Sequence, residues 1–298
     1  MAGPWTGTAP VSVARPRTLA DAIDALADAP DADLLAGGTD LMVEVNFGHR
    51  RPRRIVGLRR VEELRGWRRE DGRFDLGALT TYRQIEDELA TVLPAFAAAA
   101  RTVGSPQIRN AGTVGGNIGT ASPAGDALPL LAALDAEVVC DGIDGRRIVA
   151  LHDFITGPKQ TDRRPGELIS HVRFDACAGP QQFLKVGPRN AMAISTVCLA
   201  LVADTDGRRV RVGTGSVAPR PMRPAEAEAF ASDAIDWDAG SMAPDDLDTF
   251  GAMVAGAASP VTDHRGTEVY RRHAVGVLAR RALARALRDM TAGDGAGS

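Results

Sequence analysis

Cysteine, histidine, surplus charge and long apolar runs are all sparse in this chain of 298 residues. Its three cysteines, Cys140, Cys177 and Cys198, stand far apart. That spacing excludes a cysteine-based zinc or iron–sulfur motif and a disulfide framework, and it fits a reducing, cytoplasmic setting. The five histidines, His49, His152, His171, His264 and His273, form no pair at helical spacing, so no metal site is expected. Gly-x-Ser-x-Gly, Walker A and Cys-x-x-Cys patterns are absent. The chain therefore offers no self-contained acid–base or nucleophilic machinery, no catalytic residue is assigned, and a cofactor must carry any chemistry. A formal net charge of −3 gives no mark of a nucleic-acid or membrane binder. The most apolar stretch, residues 193–203, contains Ser195 and Thr196 and is too short to insert in a membrane. Residues 1–18 lack the apolar core of a signal peptide.

Hydrophobic residues make up 44% of the chain, enough for a substantial core in two or three domains. Glycine is abundant and concentrated where it matters. The stretch Thr113-Val-Gly-Gly-Asn-Ile-Gly-Thr-Ala-Ser-Pro-Ala-Gly-Asp126 organises the sequence. It reads as a loop in which Gly115, Gly116 and Gly119 leave backbone N–H groups bare for an anionic ligand. Thr113, Asn117, Thr120 and Ser122 add neutral hydrogen-bonding groups, and Asp126 stands where it could cap the apolar run 127–134. Such a loop suits a phosphate or pyrophosphate, or is simply a glycine-rich surface turn. A second turn precedes it at Ala36-Gly37-Gly38-Thr39-Asp40-Leu41. It follows a short buried strand, Leu34-Leu35-Ala36, and Thr39 or Asp40 could cap the helix that restarts at Leu41.

Local signals order the rest. Residues 1–14 read as a loose extension. Thr18 with Asp21 forms a capping box, and Leu19, Ala22, Ile23 and Leu26 keep helical spacing. Residues 50–54 form a basic run, either a solvated link or a contact for an acidic partner surface. Strands are expected at 55–58, 73–76, 137–140, 148–151 and 168–174, with helices near 82–90, 94–102 and 128–134. Residues 153–166 read as a loop, and 176–180 as a domain boundary. Strands at 182–186, 193–203 and 209–217 then precede helices at 224–231, 244–258 and 268–287, with a frayed tail at 293–298. Gly213-x-Gly215-x-x-Ala218 superficially matches a dinucleotide fingerprint, but prolines replace the required helix, so it reads as a strand end and turn. Lys185 interrupts the apolar strand Phe183–Val186. It is either the outward residue of an alternating strand or a cation directed at a cofactor.

Taken together, these segments resemble the FAD-binding medium subunit of the molybdenum hydroxylases, the family of xanthine dehydrogenase, carbon monoxide dehydrogenase and related hydroxylases. The resemblance runs from about Ala14 to about Ala286. It rests on Leu34–Leu41, Val103-Gly-Ser-Pro-Gln-Ile-Arg-Asn110, Thr113–Asp126, Phe183-Leu-Lys-Val-Gly187 and the terminal segment with Tyr270-Arg-Arg-His273. It implies an α+β chain: a two-subdomain, PCMH-type FAD-binding fold over residues 1–58 and 59–178, then a C-terminal domain over 179–298 with a three-stranded antiparallel sheet and helices. It also implies that FAD is held by Leu34, Leu35, Ala36, Gly37, Gly38, Thr39, Asp40 and Leu41, and by Thr113, Gly115, Gly116, Asn117, Thr120, Ser122 and Asp126. Val103, Gly104, Leu168, Ile169 and Lys185 match further FAD positions, and residues 187–193 match a variable loop beside the flavin. The implied partners are a molybdopterin-binding large subunit, a 2Fe-2S small subunit, and NAD or another electron acceptor. A self-sufficient FAD-dependent oxidase or dehydrogenase of the same fold is the alternative.

Overall fold

The computed structural model describes residues 10–294. Near its start, Thr18 caps the helix Leu19–Ala27 as its sequence dictates. The Thr18 hydroxyl accepts the Asp21 N–H at 3.0 Å, and the Asp21 carboxylate accepts the Thr18 N–H at 3.2 Å. Thr81 and Gln84 repeat the device at the helix Tyr82–Glu88. The helix Leu19–Ala27 packs under a three-stranded parallel sheet in the order Ser12–Ala14, Arg54–Gly57, Asp33–Leu35. Part of the extension expected at 1–14 is therefore a strand; residues 1–9 lie outside the described residues. Ser-Val-Ala carries too weak a local signal, and only pairing with Arg54–Gly57 makes it extended.

A five-stranded antiparallel sheet follows, in the order Trp67–Glu70, Arg73–Gly77, Leu168–Asp175, Glu137–Gly142, Gly145–Ala150. Its apolar face carries Phe74, Leu76, Val138, Cys140, Val172 and Phe174 into one core with the helices Tyr82–Glu88, Pro94–Thr102, Val114–Thr120 and Leu128–Ala133. Cys140 is thus a core residue, and burial pushes its thiol up to about 12. The strand Trp67–Glu70 escapes the sequence reading, as does the helix Pro106–Ala111. Gly104-Ser105-Pro106 follows the end of Pro94–Thr102 and opens this next helix. The Ser105 hydroxyl accepts the Ile108 N–H at 3.4 Å, and Pro106 takes the first helical turn, where no N–H is needed. The loop expected at 153–166 holds a small antiparallel ribbon, Ile155–Gly157 with Gln160–Thr161.

Beyond residue 180, the strands Gln181–Val186, Val197–Asp204 and Arg209–Gly215 form a three-stranded antiparallel sheet in that order. Every residue of Val197–Asp204 is buried, because both faces are covered. Ala200 and Val202 join the preceding core, while Val197, Leu199, Leu201 and Ala203 meet the helices Ala225–Ala234, Pro244–Ala257 and Glu268–Asp294. That explains an apolar run without alternation. The strand begins at Val197 rather than 193, and the last helix continues to Asp294, with 295–298 outside the described residues. Gly213 and Gly215 are packing glycines: a Cβ on Gly213 would collide with the Pro129 carbonyl, and one on Gly215 would lie 2.6 Å from the Cys198 Sγ. The fingerprint-like spacing therefore reflects the close seat of Leu128–Ala133 on this sheet.

Arg271 locks the last helix in place. It is 2% exposed, donates to the carbonyls of Thr196 (3.1 Å) and Ser216 (2.8 Å), and pairs with Asp263. Burial alone raises the Asp263 carboxyl, but the backbone N–H and guanidinium of Arg265, with Arg271, hold it well below its usual 3.8. A depressed carboxyl stabilises the fold above its ordinary pKa and loses that contribution as pH falls below it. Asp263→Asn should therefore cost about 2–4 kcal/mol near neutrality, since it leaves a buried guanidinium without its anion. The gap to the wild type should narrow towards pH 3. Urea unfolding at both pH values checks this; a gap independent of pH would count against it.

Candidate cofactor-binding site

A cavity of about 600 Å³ opens between the parallel sheet and the central core, and both glycine segments line it. The first segment leaves the strand Asp33–Leu35, turns through Gly38 at φ +75°, and enters the short helix Leu41–Asn46. Only glycine takes that dihedral readily. Gly37 is pressed against the end of Pro106–Ala111, where a Cβ would collide with the Ala111 carbonyl. The N–H groups of Gly37, Gly38, Thr39 and Asp40 donate to no acceptor among the described residues. Four successive unbonded amides at a glycine turn form an anion cradle. Asp40 occupies the N-cap position but makes no capping hydrogen bond, contrary to the sequence expectation. It lines the cavity instead, its carboxyl raised by burial against the opposing pull of the Thr120 hydroxyl and Lys159.

The second segment corrects the sequence reading more sharply. It is not mainly a loop: Val114–Thr120 is helical, and Thr113 caps it by accepting the Gly116 N–H at 3.0 Å. The Gly115 N–H is also taken, by the Ala78 carbonyl at 2.9 Å. The bare amides expected at these glycines are therefore absent. What glycine supplies here is closeness, since a Cβ on Gly115 would stand 2.5 Å from the Ala78 Cβ. A Cβ on Gly119 would meet only Ile169, at 3.6 Å, so this glycine keeps the cavity wall open. The helix stops at Ala121, whose φ is +47°, and Ser122–Asp126 continues along the wall. Two buried polar atoms of the lining, the Tyr82 hydroxyl and the Asn117 Oδ1, have no hydrogen-bond partner among the described residues.

Asp126 caps no helix either; the cap position of Leu128–Ala133 belongs to Ala127. Its buried carboxylate instead accepts from Lys185 Nζ at 2.5 Å, from the Thr102 hydroxyl at 3.1 Å, and from the Ser195 hydroxyl. Burial raises the Asp126 carboxyl, opposed first by the Lys185 charge and then by these hydrogen bonds. Lys185 also donates to the Thr102 carbonyl at 3.2 Å. Of the two readings of Lys185, the outward residue of an alternating strand is set aside: Lys185 is the buried counter-ion behind Asp126, outside the cavity lining.

Leu34, Ala36, Leu41, Val103, Gly104, Thr113, Gly116, Asn117, Thr120, Ser122 and Ile169 line the same cavity as the residues described above. Leu35 and Leu168 do not. Leu168 faces the core under the parallel sheet, and Ile169, next to it on the strand, points to the opposite face. Sequence reasoning missed Tyr82, Lys159 and Arg163 in the lining. Lys159 sits at a left-handed turn of the unpredicted ribbon, just after Gly157-Pro158, and reaches Glu44 at 2.6 Å. Arg50, from the basic run, lines the cavity paired with Asp33.

Comparison with known proteins places this geometry. Residues 9–175 match the family described as the FAD binding domain in molybdopterin dehydrogenase, and residues 182–286 the CO dehydrogenase flavoprotein C-terminal domain. The putative xanthine dehydrogenase FAD-binding subunit of Escherichia coli strain K12 is 34% identical, over 92% of this chain and 94% of that protein. The carbon monoxide dehydrogenase medium chain of Afipia carboxidovorans is 32% identical, over 91% and 95%. A solved structure of reconstituted CO dehydrogenase from Oligotropha carboxidovorans superposes with a TM-score of 0.85 at 30% identity, covering 94% of this chain and 98% of the matched chain. With both halves matched in order and nearly end to end, the chain belongs to the FAD-binding medium subunits of the molybdenum hydroxylase family.

Proposed function

We propose that this chain holds FAD in the cavity between its two glycine segments and serves as the electron-transfer subunit of a heteromeric molybdenum hydroxylase in the cytoplasm. It would take electrons from the iron–sulfur clusters of a small partner subunit and deliver them to NAD or another acceptor, while a molybdopterin-binding large subunit hydroxylates the substrate. The observation that carries this reading is the row of unbonded amides at Gly37–Asp40, set in a cavity shared with Thr113–Asp126. The chain fits the cofactor on chemical grounds. Amides suit a pyrophosphate, the unpartnered Tyr82 hydroxyl and Asn117 oxygen suit a polar ligand, and Val103, Ile108 and Ile169 suit a flat apolar ring.

Bound FAD would supply reversible acceptance of two electrons, which no side chain here can carry. The protein's work is binding and positioning. Gly37–Asp40 orients the anionic centre, the packed Gly115 helix fixes the facing wall, and the Asp126–Lys185 pair holds that wall to the C-terminal sheet. No helix among the described residues is long and apolar enough to cross a membrane.

Gly116→Val should lower flavin occupancy at least about tenfold while the far-ultraviolet spectrum stays native, since the new Cβ meets the Thr113 hydroxyl 2.9 Å away on the cavity wall. Normal flavin absorbance in the folded variant would refute the placement. Asp126→Ala should destabilise the chain by about 3–5 kcal/mol by leaving Lys185 buried and unpaired, and Asp126→Ala/Lys185→Met should recover much of that loss in thermal unfolding. Equal stability of the single and double variants would show that the pair is not coupled. The flavin-loaded chain, mixed with its two partner subunits, should lose flavin absorbance when substrate is added. NADH should bleach it without partners if NAD is the acceptor. Substrate turnover by the pure chain alone would instead support a self-sufficient oxidase.

A further inference from the structure

One cation in the cavity stands out by having no ion-pair partner among the described residues. The charged lining consists of Asp33, Asp40, Glu44 and Asp126 with Arg50, Lys159 and Arg163. Asp33 pairs with Arg50, Glu44 with Lys159, and Asp126 with Lys185 from behind the wall. Arg163 forms no ion pair among the described residues; its Nη1 donates to the carbonyls of Glu167 at 2.7 Å and Arg164 at 3.4 Å. Its Nε and Nη2 donate to no acceptor among the described residues. The adjacent Glu167 carboxylate is already taken by Arg147, at 2.7 and 3.0 Å, and by the Arg164 N–H at 2.9 Å. Burial lowers the Arg163 guanidinium from its ordinary range, so nothing nearby fully offsets its desolvation. The fold also fixes where this group stands. The Gly166 N–H donates to the Pro30 carbonyl at 3.2 Å, which pins the Arg163 segment beside the start of the Asp33–Leu35 strand and its Asp33–Arg50 pair.

The cavity thus has two unlike regions. Val103, Gly104 and Ile194 gather near the Asp126 hub, through Thr102 and Ser195, and suit an apolar ring. The region of Asp33, Arg50 and Arg163 is charged and carries half of a guanidinium fork without an acceptor. Such a fork matches phosphoryl oxygens.

We infer that Arg163 binds the adenylate half of FAD, its free N–H edge taking an oxygen of the adenosine-side phosphate, which flavin mononucleotide lacks, and thereby makes the site selective for FAD over flavin mononucleotide. This rests on the FAD reading above. The test uses the full chain stripped of flavin, with FAD, ADP, flavin mononucleotide and riboflavin titrated by flavin fluorescence or calorimetry. Arg163→Gln should weaken FAD and ADP roughly ten- to a hundredfold, the size expected for one charge-assisted hydrogen-bonding group. Riboflavin and flavin mononucleotide should change less than about threefold, and Arg163→Lys should recover part of the loss. If Arg163→Gln does not fold, phenylglyoxal labelling of the wild type replaces it: ADP should protect Arg163 from modification and riboflavin should not. Unchanged ADP affinity, an equal loss for flavin mononucleotide, or labelling insensitive to ADP would overturn the inference. A wild-type chain that binds no FAD at all would instead overturn the cofactor reading itself.

Discussion

The buried carboxylate of Asp126 is the constraint on which the site depends. Its three donors come from separate parts of the chain: Thr102 ends a helix of the central core, Lys185 sits on the C-terminal sheet, and Ser195 precedes that sheet's middle strand. A carboxylate so enclosed is tolerable only when charge and hydrogen bonds are both supplied. Satisfying it forces the helix end, the strand Gln181–Val186 and the wall Ser122–Asp126 into one arrangement. The walls of the cavity follow from that arrangement, and so does the burial of Lys185.

Glycine does two different jobs around the cavity, and sequence alone does not separate them. At Gly37–Gly38 it permits a left-handed turn that leaves amides unbonded. At Gly115 it permits a helix to touch Ala78, and its amide is consumed inside the protein. Gly213 and Gly215 extend the second role to the contact between the C-terminal sheet and Leu128–Ala133. A glycine-rich segment beside a ligand is therefore not automatically a source of donors; the partners of its amides decide.

Much of this was legible from residues close together in sequence. The capping box at Thr18, the periodic helix after Leu19 and the strand-to-turn step at Leu34–Gly38 are local features, and they form as local rules dictate. What stayed hidden depends on distant partners. Ser12–Ala14 becomes a strand only beside Arg54–Gly57, and the ribbon at 155–161 brings Lys159 to Glu44 across 115 positions. Asp126 looked like a cap because its neighbours in sequence are helical; its true partners lie at 102, 185 and 195. The helix at Pro106 was hidden because Ser and Pro follow the end of one helix as readily as they open the next.

The cavity's walls are drawn from positions as far apart as Asp33 and Ile194, and much of its polar surface lacks an internal partner. Any ligand that fills it joins the two ends of this span and binds only the assembled form. Folding and ligand capture are then one linked equilibrium: above saturation, each further tenfold rise in free ligand adds about 1.4 kcal/mol to the assembled state. The melting temperature of this chain is consequently a function of how much cofactor surrounds it, and a cell short of that cofactor would hold a less durable protein as well as an emptier one.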